Sequence, residues 1–148
     1  MSFDHIRREL LDLHGQVRPP AADSLAAFEE QFAVGLPNDV KAAYSVMDGS
    51  DYSTNPEKSW IRFWPIHEWK EATESLPPES CEEDRGRLFL VADYGMECVY
   101  YAIDLQRTSK TFGHIYALGA TRISAVAPSF FEFVQLVLVG SDDLHSYS

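Results

Sequence analysis

RLFLVADYGMECVYYAIDL, residues 87–105, decides the fold class. RLFLVADY (87–94) and ECVYYAIDL (97–105) are dense in β-branched and aromatic residues, the types that fit a pleated, half-buried surface. Only Gly95-Met96 separates them, so an antiparallel hairpin is predicted. A parallel pair would need a crossover of about a dozen residues or more.

Downstream, the loop QRTSKT leads to FGHIYALG (112–119), a further predicted strand. Ser129 and Glu132 form a capping box ahead of an apolar run. They open a last helix running to about Val139 and stopped by Gly140, with Phe130, Phe133, Val134 and Val137 as its buried stripe. The tail SDDLHSYS (141–148) is short and acidic, and is predicted to fray.

Upstream, WIRFWPI (60–66) reads as a strand that Pro65 ends or places at a sheet edge. HEWKEATESL (67–76) reads as a short helix closed by Pro77-Pro78, and SCEEDRG (80–86) and SDYSTNPEKS (50–59) as polar loops. Phe3, Ile6, Leu10 and Leu13 recur at helical spacing over 3–14, between Ser2 as cap and Gly15 as stop. A second helix is expected at 24–34, with Asp23 as N-cap. Gly35 should take the left-handed conformation that ends it, so that Gly35→Ala would cost about 1–2 kcal/mol. Pro37 suits the first turn of a third helix, with Leu36 stapled onto Val40. The break lets two apolar faces, Leu25/Phe28/Phe32 and Val40/Tyr44/Met47, point at one core. The order of helices, strand, helix, strands and helix describes one α+β domain over 1–148 with a mainly antiparallel sheet between N-terminal and C-terminal helices.

Twelve Lys and Arg stand against 23 Asp and Glu, a net charge of −11. Such a chain repels phosphate backbones, which argues against direct nucleic-acid binding, and attracts basic partners. Solubility alone also accounts for acidity. Cys81 and Cys98 make neither a disulfide framework nor a zinc pattern. The first fifteen residues mix charged and apolar side chains, unlike a secretory leader, and VQLVLV falls far short of the roughly 20 apolar residues that span a bilayer. A soluble cytoplasmic protein without membrane contact is expected.

The five histidines show no metal-ligand spacing, and neither a nucleophile elbow nor a phosphate loop is present. Asp93, Glu97 and Asp104 flank the central hairpin. Two of them could serve as an acid–base pair in a small hydrolase; the plainer reading is solvated strand ends. Trp60, Trp64 and Trp69 fall within ten residues, as core or as aromatic anchors of an interface. The acidic stretches at Asp48–Tyr52 and Glu82–Asp84 could rim such an interface or form a solvated face.

Four pieces in order resemble the SUKH superfamily, the Smi/Knr-like proteins. They are Phe28-Glu29 with Gly35-Leu36-Pro37; Asp48-Gly49; Leu88–Asp93 with Gly95 and Tyr101–Leu105; and Val126–Phe133. The likeness covers most of residues 22–139. The chain departs from it at Asp48-Gly49, where Asn-Gly is frequent, and at Met96, where a second small residue is usual. The resemblance implies helices packed on a bent sheet, with no catalytic centre and no cofactor. Bacterial members are commonly immunity proteins that neutralise a secreted toxin; fungal ones are regulatory scaffolds. Together with the charge, it points to a protein partner, a basic toxin domain bound by occlusion, with Asp48, Asp51, Tyr52, Trp64, Tyr94 and Glu97 as candidate contacts. The alternative is an intracellular scaffolding adaptor of the same fold. Oligomeric state is left open.

Overall fold

A computed structural model describes residues 3–14, 19, 23–50, 61–72, 87–95, 99–119 and 123–138. Among them the order is α1 (Phe3–His14), α2 (Ser24–Phe32), α3 (Asn38–Val46), β1 (Ile61–Phe63), a 3-10 turn (Ile66–Glu68), β2 (Lys70–Glu71), β3 (Leu88–Tyr94), β4 (Val99–Asp104), β5 (Ile115–Leu118), β6 (Ile123–Ala127) and α4 (Phe130–Leu138). This is the α+β architecture that the hairpin reading predicts.

β3 and β4 pair antiparallel from Leu88 opposite Asp104 to Tyr94 opposite Val99. The register shifts between Leu90 and Ala92, so Val91 is a bulge that bends the sheet. β5 and β6 continue it antiparallel, giving the order β1-β3-β4-β5-β6. β6 is absent from the sequence reading: Ile123-Ser-Ala-Val-Ala holds only two β-branched residues, and its pairing with β5 supplies what propensity does not.

The outer side of β3 carries a strand split in two. β1 pairs with Ala92–Tyr94 and β2 with Phe89 and Leu90. The helix expected at 67–76 is therefore corrected over its described part. Glu, Lys and Ala favour helix, but Trp69 and Ala72 are buried, and backbone pairing with β3 overrides so short a preference. Residues 73–76, the loops at 51–60 and 80–86, and the tail lie outside the described residues.

The helices collect on one sheet face. Phe133 of α4 stacks on Tyr101 at 4.9 Å, and Phe63 meets Phe130 and Phe133 at 6.1 and 5.7 Å. Phe28 and Phe32 of α2 pack on Phe89. α1 packs on α3 and α4, and Arg7 Nε donates to the Val46 carbonyl at the end of α3. Ser129 Oγ accepts from the Glu132 amide, as the capping motif predicts. Asp39 joins two helix starts, one carboxylate oxygen accepting from Val40 N and the other from Phe131 N.

The helix break at 33–37 works differently from the sequence expectation. The left-handed residue is Ala33, at φ 54°, and Gly35 is not in that region. Gly35 is buried because the Arg107 guanidinium, from the β4–β5 connection, lies against it where a Cβ would stand. Glu29 completes the break by accepting from the Leu36 amide at 2.9 Å. Two outcomes follow. Ala33→Gly should stabilise the fold by about 0.5–1 kcal/mol, since the left-handed penalty outweighs glycine's entropy. Gly35→Ala need only push aside an exposed side chain and should cost less than about 1 kcal/mol. Urea midpoints measure both.

Candidate protein-binding surface

Asp48-Gly49-Ser50 forms a clip rather than a rim. Asp48 is half-buried, and its carboxylate accepts the Ile66 amide at 2.9 Å, fixing the start of the 3-10 turn. Gly49 has φ +81° and lies on the backbone of Phe63–Pro65. Ser50 donates its amide to the Phe63 carbonyl, and its hydroxyl accepts the Phe63 amide. The end of α3 is thus fastened to β1.

Trp64, expected as an aromatic anchor, is corrected to a core residue. It is 4% exposed, and its indole N–H donates to Asp93 at 2.6 Å. Its carbonyl accepts both the Tyr44 hydroxyl and the Trp69 indole N–H, at 2.6 and 3.1 Å. Burial pushes the Tyr44 phenol far above the ordinary tyrosine value, so it stays protonated and donates. Tyr94 is half-buried and pairs with Ile61 and Val99. Residues paired across a sheet share a face, so Tyr94 points toward the helices while Asp93 and the Trp64 indole lie on the opposite face. The structure therefore brings Asp48 and Trp64 together but sets Tyr94 apart. Asp51, Tyr52, Trp60 and Glu97 lie outside the described residues.

Asp93 and Asp104 are buried, at 1% and 0% exposure, not solvated strand ends. Asp93 sits opposite Tyr100, four residues from Asp104 along β4, which separates the two by about 13 Å. Two carboxylates that act on one bond lie within roughly 9.5 Å. Each instead has a packing role. Asp104 accepts from Gln106 N, Ser109 Oγ and Thr111 Oγ1 at 2.9, 2.7 and 2.6 Å and so shapes the β4–β5 connection.

A groove of about 210 Å³ lies between α2 and the 3-10 turn. Its floor is Phe28, Phe32, Ile66 and Trp69, with Phe28 edge-on to Trp69 at 5.6 Å. Its rim is Ser24, Ala27, Gln31 and His67, the last three exposed. The space is below the ~300 Å³ of a typical small-molecule site and is large enough for one or two side chains. Residues 23–34, which contain α2, hold three acids and no Lys or Arg. Glu29 is engaged by Leu36 N and by Lys41 at 3.5 Å, whereas Glu30 on the same helix and Asp23 at its N-cap are exposed. Opposite α2, Arg87 holds Glu71 at 2.8 Å and donates to the Phe32 carbonyl, bracing the helix end against the sheet. The sequence reading missed the rim because Ala27 and Gln31 look like any polar helix face. It took Phe28 and Phe32 as core; Phe28 is buried and Phe32 is half-buried beside it.

Among the described residues no group of three or more His, Cys, Asp or Glu is placed to hold a metal ion. Among them, too, no helix is long and apolar enough to cross a membrane. A comparison with curated proteins finds no match. The helix break, the Asp48-Gly49 clip, the central hairpin and all but the last two residues of α4 fall within residues 19–136, the span matched by the model of the SMI1 / KNR4 family (SUKH-1), and the chain belongs to that family.

Proposed function

We propose that this protein is a non-enzymatic immunity protein that binds a secreted bacterial toxin in the cytoplasm and occludes its working face. Family membership supports a protein-binding role, and the charge of −11 supports a basic partner. The observation that carries the reading is the aromatic groove beside an acidic helix. An apolar side chain of the partner, flanked by Lys or Arg, fills the space over Phe28 and Trp69 while Asp23 and Glu30 meet the flanking cations.

The test uses the product of the neighbouring open reading frame as partner. Protection of cells that express it, and the dissociation constant in vitro, are measured for the native chain and for Ala27→Arg/Gln31→Arg. Both positions are exposed, so folding should survive. Binding is expected to weaken by roughly tenfold or more and to fall with added salt, while Glu132→Gln on α4 changes little. A partner that is acidic, indifferent to salt and untouched by the double variant would overturn the proposal. Several host partners with no toxin gene nearby would favour the scaffolding adaptor instead.

A further inference from the structure

The 3-10 turn that walls the groove opposite α2 is tied on both sides of His67. Ile66 donates its amide to Asp48, the Glu68 carboxylate pairs with Arg62 at 2.8 Å, and the Trp69 indole N–H donates to the Trp64 carbonyl. Within the turn, Glu68 N donates to the Pro65 carbonyl and Trp69 N to the Ile66 carbonyl. His67 differs. Its side chain is exposed and, among the described residues, makes no hydrogen bond or ion pair. The backbone beneath it is held while the imidazole is free, which is how a contact residue stands on a supported frame.

Among the described residues that line the groove, His67 alone can carry a charge; the rest are apolar, aromatic or the neutral Ser24 and Gln31. The charges around it are otherwise settled. From α2, Asp23 and Glu30 are exposed, and Glu29 is held by Leu36 N and Lys41. Beyond the turn, Glu68 is held by Arg62 and Glu71 by Arg87. Lys70 is paired with Leu90, which lies on the sheet face opposite Phe89 and the helices, so this cation points away from the groove. Behind the turn, Asp48 is bound to Ile66 N and the Tyr44 phenol stays protonated. The free charge at the groove mouth is thus negative, and only a proton on His67 sets a cation there.

We infer that His67 is a specificity contact of the groove: neutral, it accepts a hydrogen bond from a Lys or Arg flanking the partner's inserted side chain; protonated, it repels that cation. It rests on the toxin-binding reading of the groove, and it names the group that reads the partner on the side away from the acids of α2. A neutral imidazole has one acceptor nitrogen, and both nitrogens become donors once it is protonated. Lys and Arg offer donors only, so protonation replaces a hydrogen bond with a meeting of like charges. A residue that merely packed at the rim would not change sign in this way.

The dissociation constant of the complex with the product of the neighbouring open reading frame tests it. It is measured at about pH 8 and about pH 5.5, a range in which imidazoles ordinarily change charge, for the native chain, His67→Gln and His67→Lys. Comparing native with variant at each pH cancels the partner's own titration. Gln keeps an acceptor and takes up no proton, so it should bind within about twofold of the native chain at the higher pH and about five- to tenfold more tightly than it at the lower. Lys should bind about tenfold more weakly than the native chain at the higher pH, with the gap closing at the lower. His5→Gln, exposed on α1, should leave the pH dependence as it is. Position 67 is exposed, so circular dichroism should show native folds throughout. A native-to-Gln ratio equal at both pH values, or a Lys variant that binds like the native chain at the higher pH, would overturn the inference alone, provided that Ala27→Arg/Gln31→Arg still weakens the complex. A partner indifferent to that double variant, or one that does not bind at either pH, would overturn the groove reading and this inference with it.

Discussion

Gly49→Ala is expected to destabilise the protein by about 3–4 kcal/mol, the sum of a left-handed dihedral penalty and an overpacking term. Gly49 has φ +81°, and a Cβ there would stand 2.6 Å from the Phe63 carbonyl oxygen and 2.6 Å from Pro65 N. Both are backbone atoms, Phe63 in a strand paired with β3 and Pro65 just past Trp64, whose amide bonds the Val91 carbonyl, so neither can step aside as a flexible side chain would. Gly113 supplies the control. Its φ is similar, at +87°, but an added Cβ meets only the Pro37 ring, at 3.5 Å from Cγ and 3.9 Å from Cβ, ordinary contacts. Gly113→Ala should therefore show the dihedral cost alone, about 1–2 kcal/mol. Thermal melts should separate the two, with the Gly49 variant losing on the order of 10 °C. The effect reaches function as well. The neighbouring Asp48 carboxylate holds Ile66, a floor residue of the groove, so a displaced clip should weaken partner binding even at temperatures where the variant remains folded.

The Asp48-Gly49 pair also shows what a sequence of this kind can and cannot display. Its presence after a helix was readable as a stop, because Gly is the residue that takes positive φ without penalty. Its tertiary use was not, since the backbone it touches lies some fifteen residues downstream. The same division runs through the chain. The antiparallel pairing of the two central strands, the capped start of the last helix and its stripe of Phe130, Phe133, Val134 and Val137 are local patterns, and they form as predicted, although the last pair of the hairpin, Tyr94 with Val99, spans four residues rather than the two expected. The left-handed residue is Ala33 rather than Gly35, and Gly35 instead carries the side chain of Arg107 from the distant β4–β5 connection. β2 and β6 depend on pairing partners, and five residues or fewer carry too little periodic signal to announce them. The groove is a junction between α2 and a turn more than thirty residues later, and only the fold brings Phe28 against Trp69.

Charge was legible as a total and not as a distribution. The acids fall outside 105–131, and the fold collects that stretch at one end of the sheet. The molecule thus separates an acidic helical side, which carries the groove, from an acid-free sheet edge.

Asp104→Ala is the second substitution with a large expected effect, about 3–4 kcal/mol. The carboxylate is fully buried and accepts from Gln106 N, Ser109 Oγ and Thr111 Oγ1. Hydrogen bonds to a charged group are worth roughly 1.5–3 kcal/mol each in isolation, and they do not add within one network. Removing the acceptor strands the Gln106 amide, while the two hydroxyls can turn to each other or to water, which limits the total. Asp104→Asn keeps one oxygen and should cost about half as much, because either hydroxyl can rotate to accept from the new amide. The backbone of Asp104 bonds Gly113 N and His114 O, so the connection keeps its ends in either variant and loses its interior. That connection carries Arg107, which covers Gly35, and Gly113, which faces Pro37. Loosening it should therefore raise amide exchange at two places far apart in sequence, 105–114 and 33–37, while β3 remains protected. An urea midpoint shifted at constant slope, with exchange quickened at both segments, is the expected result. Exchange quickened at 105–114 alone would mean that the β4–β5 connection does not brace the helix break.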